Sequence, residues 1–150
     1  MSGRYACSVN PPGRPIPVPD ERSAPYWEAA ARHQLTAARC SSCGAFSIPP
    51  DVVCPHCGDP NAELAFRAVS GRGVVRAWTV MHQSFVGGFE DQLPFVLVDV
   101  ELDDQVDLRM VARLLDGPDV ALHVGDRVRS VFEDVAPGVA IPAFALVPPQ

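Results

Sequence analysis

The pattern of hydrophobic and polar positions divides the 150 residues of this sequence into four stretches. Residues 1–22 are rich in proline and have little periodicity, which predicts an extended arm. Residues 23–38 contain an alanine-rich run that predicts a short helix. Residues 39–64 carry few large apolar side chains and hold two pairs of cysteines. In residues 65–150 the period becomes two, as is typical of β-strands.

The predicted helix has recognisable signals at its start. Ser23 is in position to cap the first turn with its side chain, and Pro25 falls where a helix tolerates the missing N–H. Tyr26, Trp27 and Ala30 then share one face of the helix. Because so short a helix is marginal by itself in water, we expect this face to pack against another part of the protein.

Five strands are predicted in the last stretch, and they cover residues 66–83, 93–102, 106–115, 125–135 and 141–148. The first contains a bend at its Gly-Arg-Gly, and Asp-Asp-Gln forms the turn between the second and the third. The link before the fourth strand has room for a short helical turn or a loop. This order matches a Greek-key barrel of the oligonucleotide/oligosaccharide-binding (OB) type.

The cysteines lie in the segment RCSSCGAFSIPPDVVCPHCG, in which two C-x-x-C-G units face each other across a spacer. Two such units form a closed tetrahedral site of the kind that holds structural zinc, and its predicted ligands are Cys40, Cys43, Cys54 and Cys57. Iron also accepts four thiolates, and a dithiol redox pair would use half of the motif. A closed site leaves no position for metal catalysis. Because the segment is too poor in apolar side chains to form a core, the metal is expected to supply its folding free energy.

Other residues of the motif have supporting roles. Gly44 and Gly58 provide the backbone freedom that directs the following N–H groups at the sulfur atoms. His56 lies inside the second unit and is interpreted as facing solvent, not as a ligand. Cys7 is left over, as a free thiol in the arm.

The charge distribution argues against a general role in binding nucleic acid. All 12 basic residues are Arg, and the 18 acidic residues give a net charge of −6. Residues 61–150 carry seven Arg against thirteen acids, and such a surface repels polyanions. Six of these Arg are candidates to line one face of the predicted barrel, so an OB-fold nucleic-acid-binding protein remains an alternative function. They are Arg72, Arg76, Arg109, Arg113, Arg127 and Arg129.

The sequence gives no indication of a membrane or secreted location. No apolar run approaches the roughly 20 residues that span a bilayer. The first residues, MSGRYACSVNPPGRP, lack the apolar stretch of a secretory signal. We therefore expect a cytoplasmic protein without a membrane segment, and in that compartment cysteines stay reduced.

The segment SFVGGFEDQLP, residues 84–94, is too long for a tight hairpin and carries Phe85 and Phe89 around two glycines. Apolar side chains on such a loop either contact a partner or ligand, or pack on the end of the barrel. Catalytic signals are weak by comparison. His82 and Ser84 lie two positions apart, without the G-x-S-x-G turn or the orienting acid of a hydrolase.

The order of these features resembles the family named domain of unknown function 35. Its members have an N-terminal helix, a rubredoxin-like zinc ribbon and an OB-fold, so the expected fold class is mainly β with a five-stranded Greek-key barrel. The matching segments are PYWEAAARHQLTAARCSSCG, the IPP before CPHCG, SGRGVVRAWTV, LPFVLVDVEL, VGDRV and VAIPAFALVP. The resemblance covers residues 22–148. Where members often have an acidic residue and a glycine after the second barrel strand, this chain has DDQVD.

The resemblance implies a non-catalytic accessory subunit of a thiolase-like acyl-CoA enzyme, such as a thiolase, an acyltransferase or a side-chain aldolase of lipid or steroid metabolism. It further implies a structural Zn²⁺ ion, a CoA thioester at or near the interface, and a two-plus-two heterotetramer. Tyr26, Trp27, Phe85 and Phe89 are the candidate residues of the surface that contacts the partner or CoA. A second alternative is an independent CoA-ester-processing enzyme, which the absence of a convincing nucleophile–base pair disfavours. The predicted division is an arm at 1–22, a helix at 23–38, a zinc ribbon at 39–64 and an OB-fold at 65–150.

Overall fold

The computed structural model describes residues 13–148, so Cys7 and the first part of the arm lie outside the described residues. These residues form one α-helix and eight strands. Helix α1 spans Ala24–Ala31. A small antiparallel sheet follows, in the order β2-β1-β3, and the last five strands close into a barrel. The strands are β1 (Thr36–Cys40), β2 (Phe46–Ser47), β3 (Leu64–Ala68), β4 (Arg72–Met81), β5 (Phe95–Leu102), β6 (Arg109–Leu114), β7 (Arg127–Ala136) and β8 (Val139–Leu146).

The barrel has the strand order β4-β5-β6-β8-β7, and β7 pairs with β4 to close it. Neighbouring strands are antiparallel except β6 and β8, which pair in parallel where Leu114 meets Phe144. The predicted fold class is confirmed: a helix, a four-cysteine ribbon and a closed five-stranded barrel. The link between β6 and β7 contains turns but no helix, so the looped alternative is the one observed.

The period of two places the core inside the barrel. On β5 every second residue is buried, namely Val96, Val98, Val100 and Leu102. Phe144 of β8 is the largest fully buried side chain and packs in the same cluster. Burying each of these side chains stabilises the fold by about 1.5–3 kcal/mol, measured against leaving it exposed.

Helix α1 packs against β8 and β1, and its Ala29 and Ala30 are both buried. The prediction that the Ser23 side chain caps the helix is wrong, because its hydroxyl donates a hydrogen bond of 2.6 Å to the Asp20 carboxylate instead. The reason is local: the backbone of Ser23 is already in the helical region, and the Ala24 N–H donates to the Asp20 carbonyl oxygen. The helical path therefore begins before the predicted cap.

The end of α1 is fixed by a histidine that the sequence patterns did not single out. His33 has a left-handed backbone with φ of 57°. Its ring stacks on Phe132 of β7 with centroids 5.2 Å apart, and its Nε2 lies 2.8 Å from Asp134 Oδ1. The chain then returns through Leu35, a buried member of the barrel core, into β1. Residues 36–38 are thus strand, whereas the predicted division assigned them to the helical stretch.

The DDQVD turn connects the barrel to the ribbon. Asp104 accepts hydrogen bonds from the backbone N–H and the hydroxyl of Ser70. Gln105 accepts a hydrogen bond from the Phe46 N–H at 2.8 Å and donates one to the Phe46 carbonyl oxygen at 2.9 Å. Its side-chain amide thus satisfies both backbone groups of a residue on β2. This turn fixes where the ribbon sits on the barrel.

Candidate metal centre and partner surface

The four predicted ligands converge on one point. Cys40 ends β1, Cys43 follows in the first turn, and Cys54 and Cys57 come from the second turn. Their sulfur atoms all lie within 4.8 Å of one another, with Cys40 to Cys57 at 3.8 Å and Cys43 to Cys54 at 3.7 Å. A tetrahedral site with Zn–S bonds of about 2.3 Å has sulfur–sulfur edges of about 3.8 Å. The cluster therefore has the dimensions of a tetrahedral zinc site.

Each cysteine turn is shaped by its glycine. Gly44 and Gly58 have φ of +74° and +67°, a conformation that favours glycine. Their N–H groups donate to the carbonyl oxygens of Cys40 and Cys54 at 2.9 Å, which closes each turn. The residues after the glycines, Ala45 and Asp59, direct their N–H groups at the sulfur atoms of Cys43 and Cys57, as the sequence predicts.

A backbone hydrogen bond lowers the pKa of one of the four thiols. The N–H of Cys57 points at the sulfur of Cys54 and lowers the pKa of this thiol to about 7, against a desolvation that raises it. A thiolate is the form that binds metal. Two of the four cysteines, Cys40 and Cys54, are buried, and the other two are exposed.

The surroundings of the cluster are consistent with four thiolate ligands and no histidine. His56 is exposed, and its Nε2 lies 3.1 Å from the carbonyl oxygen of Phe46. The two turns are linked by a hydrogen bond of 2.6 Å from the Ser42 hydroxyl to Asp59. The protein thus has a rubredoxin-like zinc ribbon whose cysteines are positioned to bind one metal ion. With four protein ligands the site is closed, so its role is structural.

The two aromatic residues of α1 have different environments. Tyr26 packs on Phe66 of β3 with ring centroids 5.9 Å apart, and it borders the barrel core. Trp27 meets Tyr26 edge-on at 5.0 Å. It also lines a groove of about 390 Å³ with Pro17 and Val139, where the arm, the helix and β8 meet. Both rings are half-buried, and Trp27 is the one of the pair that lines this groove.

Removal of the Tyr26 hydroxyl is expected to change stability only at alkaline pH. Burial raises the pKa of Tyr26 from 10.0 to about 12. The unfolded chain therefore loses its proton first, and the fold loses up to about 2–3 kcal/mol as the pH rises from about 10 to about 12. Urea unfolding of Tyr26→Phe should match wild type at pH about 8 and show less alkaline destabilisation. An identical alkaline loss in both proteins would contradict this assignment.

The loop of residues 84–94 has an outward and an inward side. Phe85 is 94% exposed and Val86 is 52% exposed. Phe89 is half-buried and packs on Phe95 at the start of β5, with ring centroids 5.9 Å apart. The Ser84 hydroxyl donates to the Val86 carbonyl oxygen at 2.9 Å, so it is engaged in its own turn. The loop projects an apolar tip while its base is held on the barrel.

Three of the seven Arg side chains in the predicted strands are paired with acids of the barrel. Both Arg side chains of β6 and one of β7 bond to carboxylates: Arg109 to Asp99, Arg113 to Glu133 and Arg127 to Asp103. Asp103 consequently has a lowered pKa, first because of its hydrogen bond from Arg127. These pairs neutralise positive charge that a nucleic-acid groove would need. In residues 13–148, no helix is both long and apolar enough to cross a membrane.

Comparisons with known proteins match this architecture. Residues 27–63 match the family described as "ChsH2, rubredoxin-like zinc ribbon domain", and residues 66–133 match "ChsH2, C-terminal OB-fold domain". A chain of the solved "Ltp2-ChsH2(DUF35) aldolase" is similar with a TM-score of 0.72 and 28% identity. That similarity covers 87% of this chain and 98% of the other.

Two further relatives extend the comparison. A DUF35-family protein of unknown function from Sulfolobus solfataricus has the same fold, with a TM-score of 0.55 at 13% identity over 85% of this chain and 86% of that one. The "Probable enoyl-CoA hydratase alpha subunit" of Thermomonospora curvata is 30% identical over 137 residues. The similarity covers 91% of this chain but only 41% of the relative, so the chain spans less than half of that protein's length.

Proposed function

The chain belongs to the domain of unknown function 35 family, with the zinc ribbon and OB-fold of ChsH2, and from this premise we propose that it is an accessory subunit of an acyl-CoA enzyme. The observation that carries the proposal is the match over 98% of a chain in the Ltp2–ChsH2 aldolase. The name of the Thermomonospora curvata relative, a probable enoyl-CoA hydratase alpha subunit, adds support for acyl-CoA chemistry. In this assignment the reaction takes place on the larger partner, and the subunit stabilises that partner.

The partner in this proposal is a thiolase-like enzyme, bound in a two-plus-two heterotetramer in the cytoplasm. The resemblance to the family supports the partner type, and the common two-fold symmetry of such enzymes supports the stoichiometry. The loop exposes an apolar tip, with Phe85 at 94% exposure. Exposed apolar side chains of this kind mark a surface that binds a partner. A CoA thioester would bind at or near the interface, where the subunit helps to form its path.

Two other functions fit the residues less well. An OB-fold nucleic-acid-binding protein would need unpaired basic grooves, whereas Arg109, Arg113 and Arg127 are paired with acids. An independent CoA-ester enzyme would need an activated nucleophile. The one hydroxyl considered for that role, on Ser84, bonds to the backbone of its own turn.

The test is co-expression with the thiolase-like protein encoded nearest to this chain. We expect the two proteins to elute together in size-exclusion chromatography, because the interface would be large and partly apolar. We also expect the pair to turn over a CoA thioester that this chain alone leaves unchanged. Separate elution at micromolar concentration, or full activity of the isolated chain, would refute the accessory role.

A further inference from the structure

Arg14 of the N-terminal arm makes a contact that joins distant parts of the chain. Its guanidinium donates two hydrogen bonds to Glu133 of β7, one from each terminal nitrogen, at 3.0 and 3.1 Å. The Arg14 and Glu133 side chains are only 15% and 18% exposed. A two-point contact between a guanidinium and a carboxylate fixes orientation as well as distance, because both groups are planar.

The Glu133 carboxylate is also linked, through Arg113, to the loop of residues 84–94. Arg113 of β6 also donates to Glu133, at 3.0 Å, and it donates a second hydrogen bond to the side chain of Gln92. Gln92 in turn donates to the carbonyl oxygen of Gly88 at 3.4 Å. A continuous hydrogen-bonded chain therefore runs from the arm through the barrel wall to the middle of the loop.

Two aromatic rings also contact the arginines that connect the arm to the loop. The guanidinium carbon of Arg14 lies 5.2 Å from the centroid of the Phe89 ring. The guanidinium carbon of Arg113 lies 5.0 Å from the centroid of Phe95, the ring on which Phe89 packs. Both distances are within the range of favourable cation–π contact. Phe89 is thus held between the arm and the first residue of β5.

The backbones of the arm and the loop touch at a position where only glycine fits. Gly88 has φ of +85°, and a Cβ atom added there would come within 2.3 Å of the Arg14 backbone nitrogen. Such an approach is closer than any real Cβ contact, and backbone atoms cannot move aside cheaply. The arm therefore packs directly on the loop, with no side chain between them.

From these contacts we propose that Arg14 is a positioning residue, which holds the loop of residues 84–94 in the conformation that presents Phe85 and Val86 to the partner. The inference rests on the proposed function and adds a role for the arm. Free surface loops lose conformational freedom on binding, and a loop fixed in advance avoids that loss. The arm clamps Phe89 at the base, so that the apolar tip is the part that projects.

The first test uses the isolated chain and hydrogen–deuterium exchange. In Arg14→Ala we expect the amides of residues 87–92 to exchange roughly tenfold faster or more, because the loop opens locally. The amides of β5 and the thermal midpoint should change little. Arg14→Lys keeps the charge but not the two-point contact, and should restore part of the protection. Arg22→Ala, an exposed Arg close to α1, is the matched control and should behave as wild type.

A second variant reaches the same contact from the loop. Gly88→Ala keeps the Arg14 side chain but forces the backbone of the arm away from the backbone of the loop. It should therefore also raise the exchange rate of the amides at residues 87–92. Unchanged exchange of this segment in both variants, with the fold intact, would overturn the proposal. This outcome does not depend on any partner.

Binding kinetics with the co-purified partner then test whether Arg14 positions the loop or contacts the partner itself. If the released loop spends about a tenth of its time in the bound conformation, the apparent Kd rises about tenfold. We expect this loss in the association rate, with the dissociation rate close to that of wild type. A tenfold loss that appears only in dissociation would overturn the positioning role and indicate a direct contact. Failure of the wild-type chain to bind any partner would refute the proposed function, while the exchange result still decides whether Arg14 holds the loop.

Discussion

Cys54→Ser is expected to abolish stoichiometric metal binding and to unfold the ribbon. The ribbon sheet consists of two five-residue strands and one of two residues, with few large apolar side chains. Metal binding to four thiolates supplies about 10–16 kcal/mol in small zinc sites, far more than such a sheet can gain from burial. Elemental analysis of protein purified without added metal should find about one zinc per wild-type chain and almost none in the variant.

The matched control for this experiment is Cys7→Ser, which removes the one cysteine outside the motif. It should retain its zinc and its fold. Because Leu35, just before β1, and Ala37, on β1, are buried in the barrel core, loss of zinc should also lower the stability of the barrel. Full zinc content in Cys54→Ser, or wild-type protein without any zinc, would show that these four cysteines do not form a zinc site.

Phe85→Asp is expected to have the largest effect on the complex among single surface changes. The side chain is 94% exposed at the tip of the loop, so its replacement leaves the fold of the isolated chain unchanged. In an interface centre, loss of an aromatic anchor typically costs about 2–4 kcal/mol, which is about 30- to 1,000-fold in Kd. Titration of the co-purified partner by calorimetry measures this change directly, and zinc content should stay at the wild-type level.

The control for Phe85→Asp is Val106→Asp, another exposed apolar residue, at 80% exposure in the DDQVD turn. It adds the same charge on a different part of the barrel. Trp27→Asp, at the groove beside the arm, should weaken the complex as well if the helix forms part of the interface. Equal affinity of the Phe85→Asp and wild-type chains, or an equal loss from Val106→Asp, would remove the loop from the interface.

Some features of this protein are determined by the sequence alone, because their interactions are local. The spacing of the cysteines and the glycines that follow them define both metal-binding turns within a few residues. In the same way, the alternation along β5 indicates which side chains face the core, since adjacent residues of a strand point to opposite sides. The succession of helix, ribbon and barrel strands along the chain follows from these patterns. The resemblance to the family rests on the same patterns.

Only the tertiary structure decided how these parts are held together. Arg14 and Glu133 are 119 residues apart, His33 and Asp134 are 101 apart, and Phe46 and Gln105 are 59 apart. No periodicity connects such positions, because closure of the barrel brings them together. The Ser23 cap failed for a local reason instead, since the Asp20 carboxylate three residues earlier accepts the hydrogen bond from the same hydroxyl. The sequence therefore identified the metal site, whereas the side chains that fix the ribbon, the arm and the loop emerged from long-range packing.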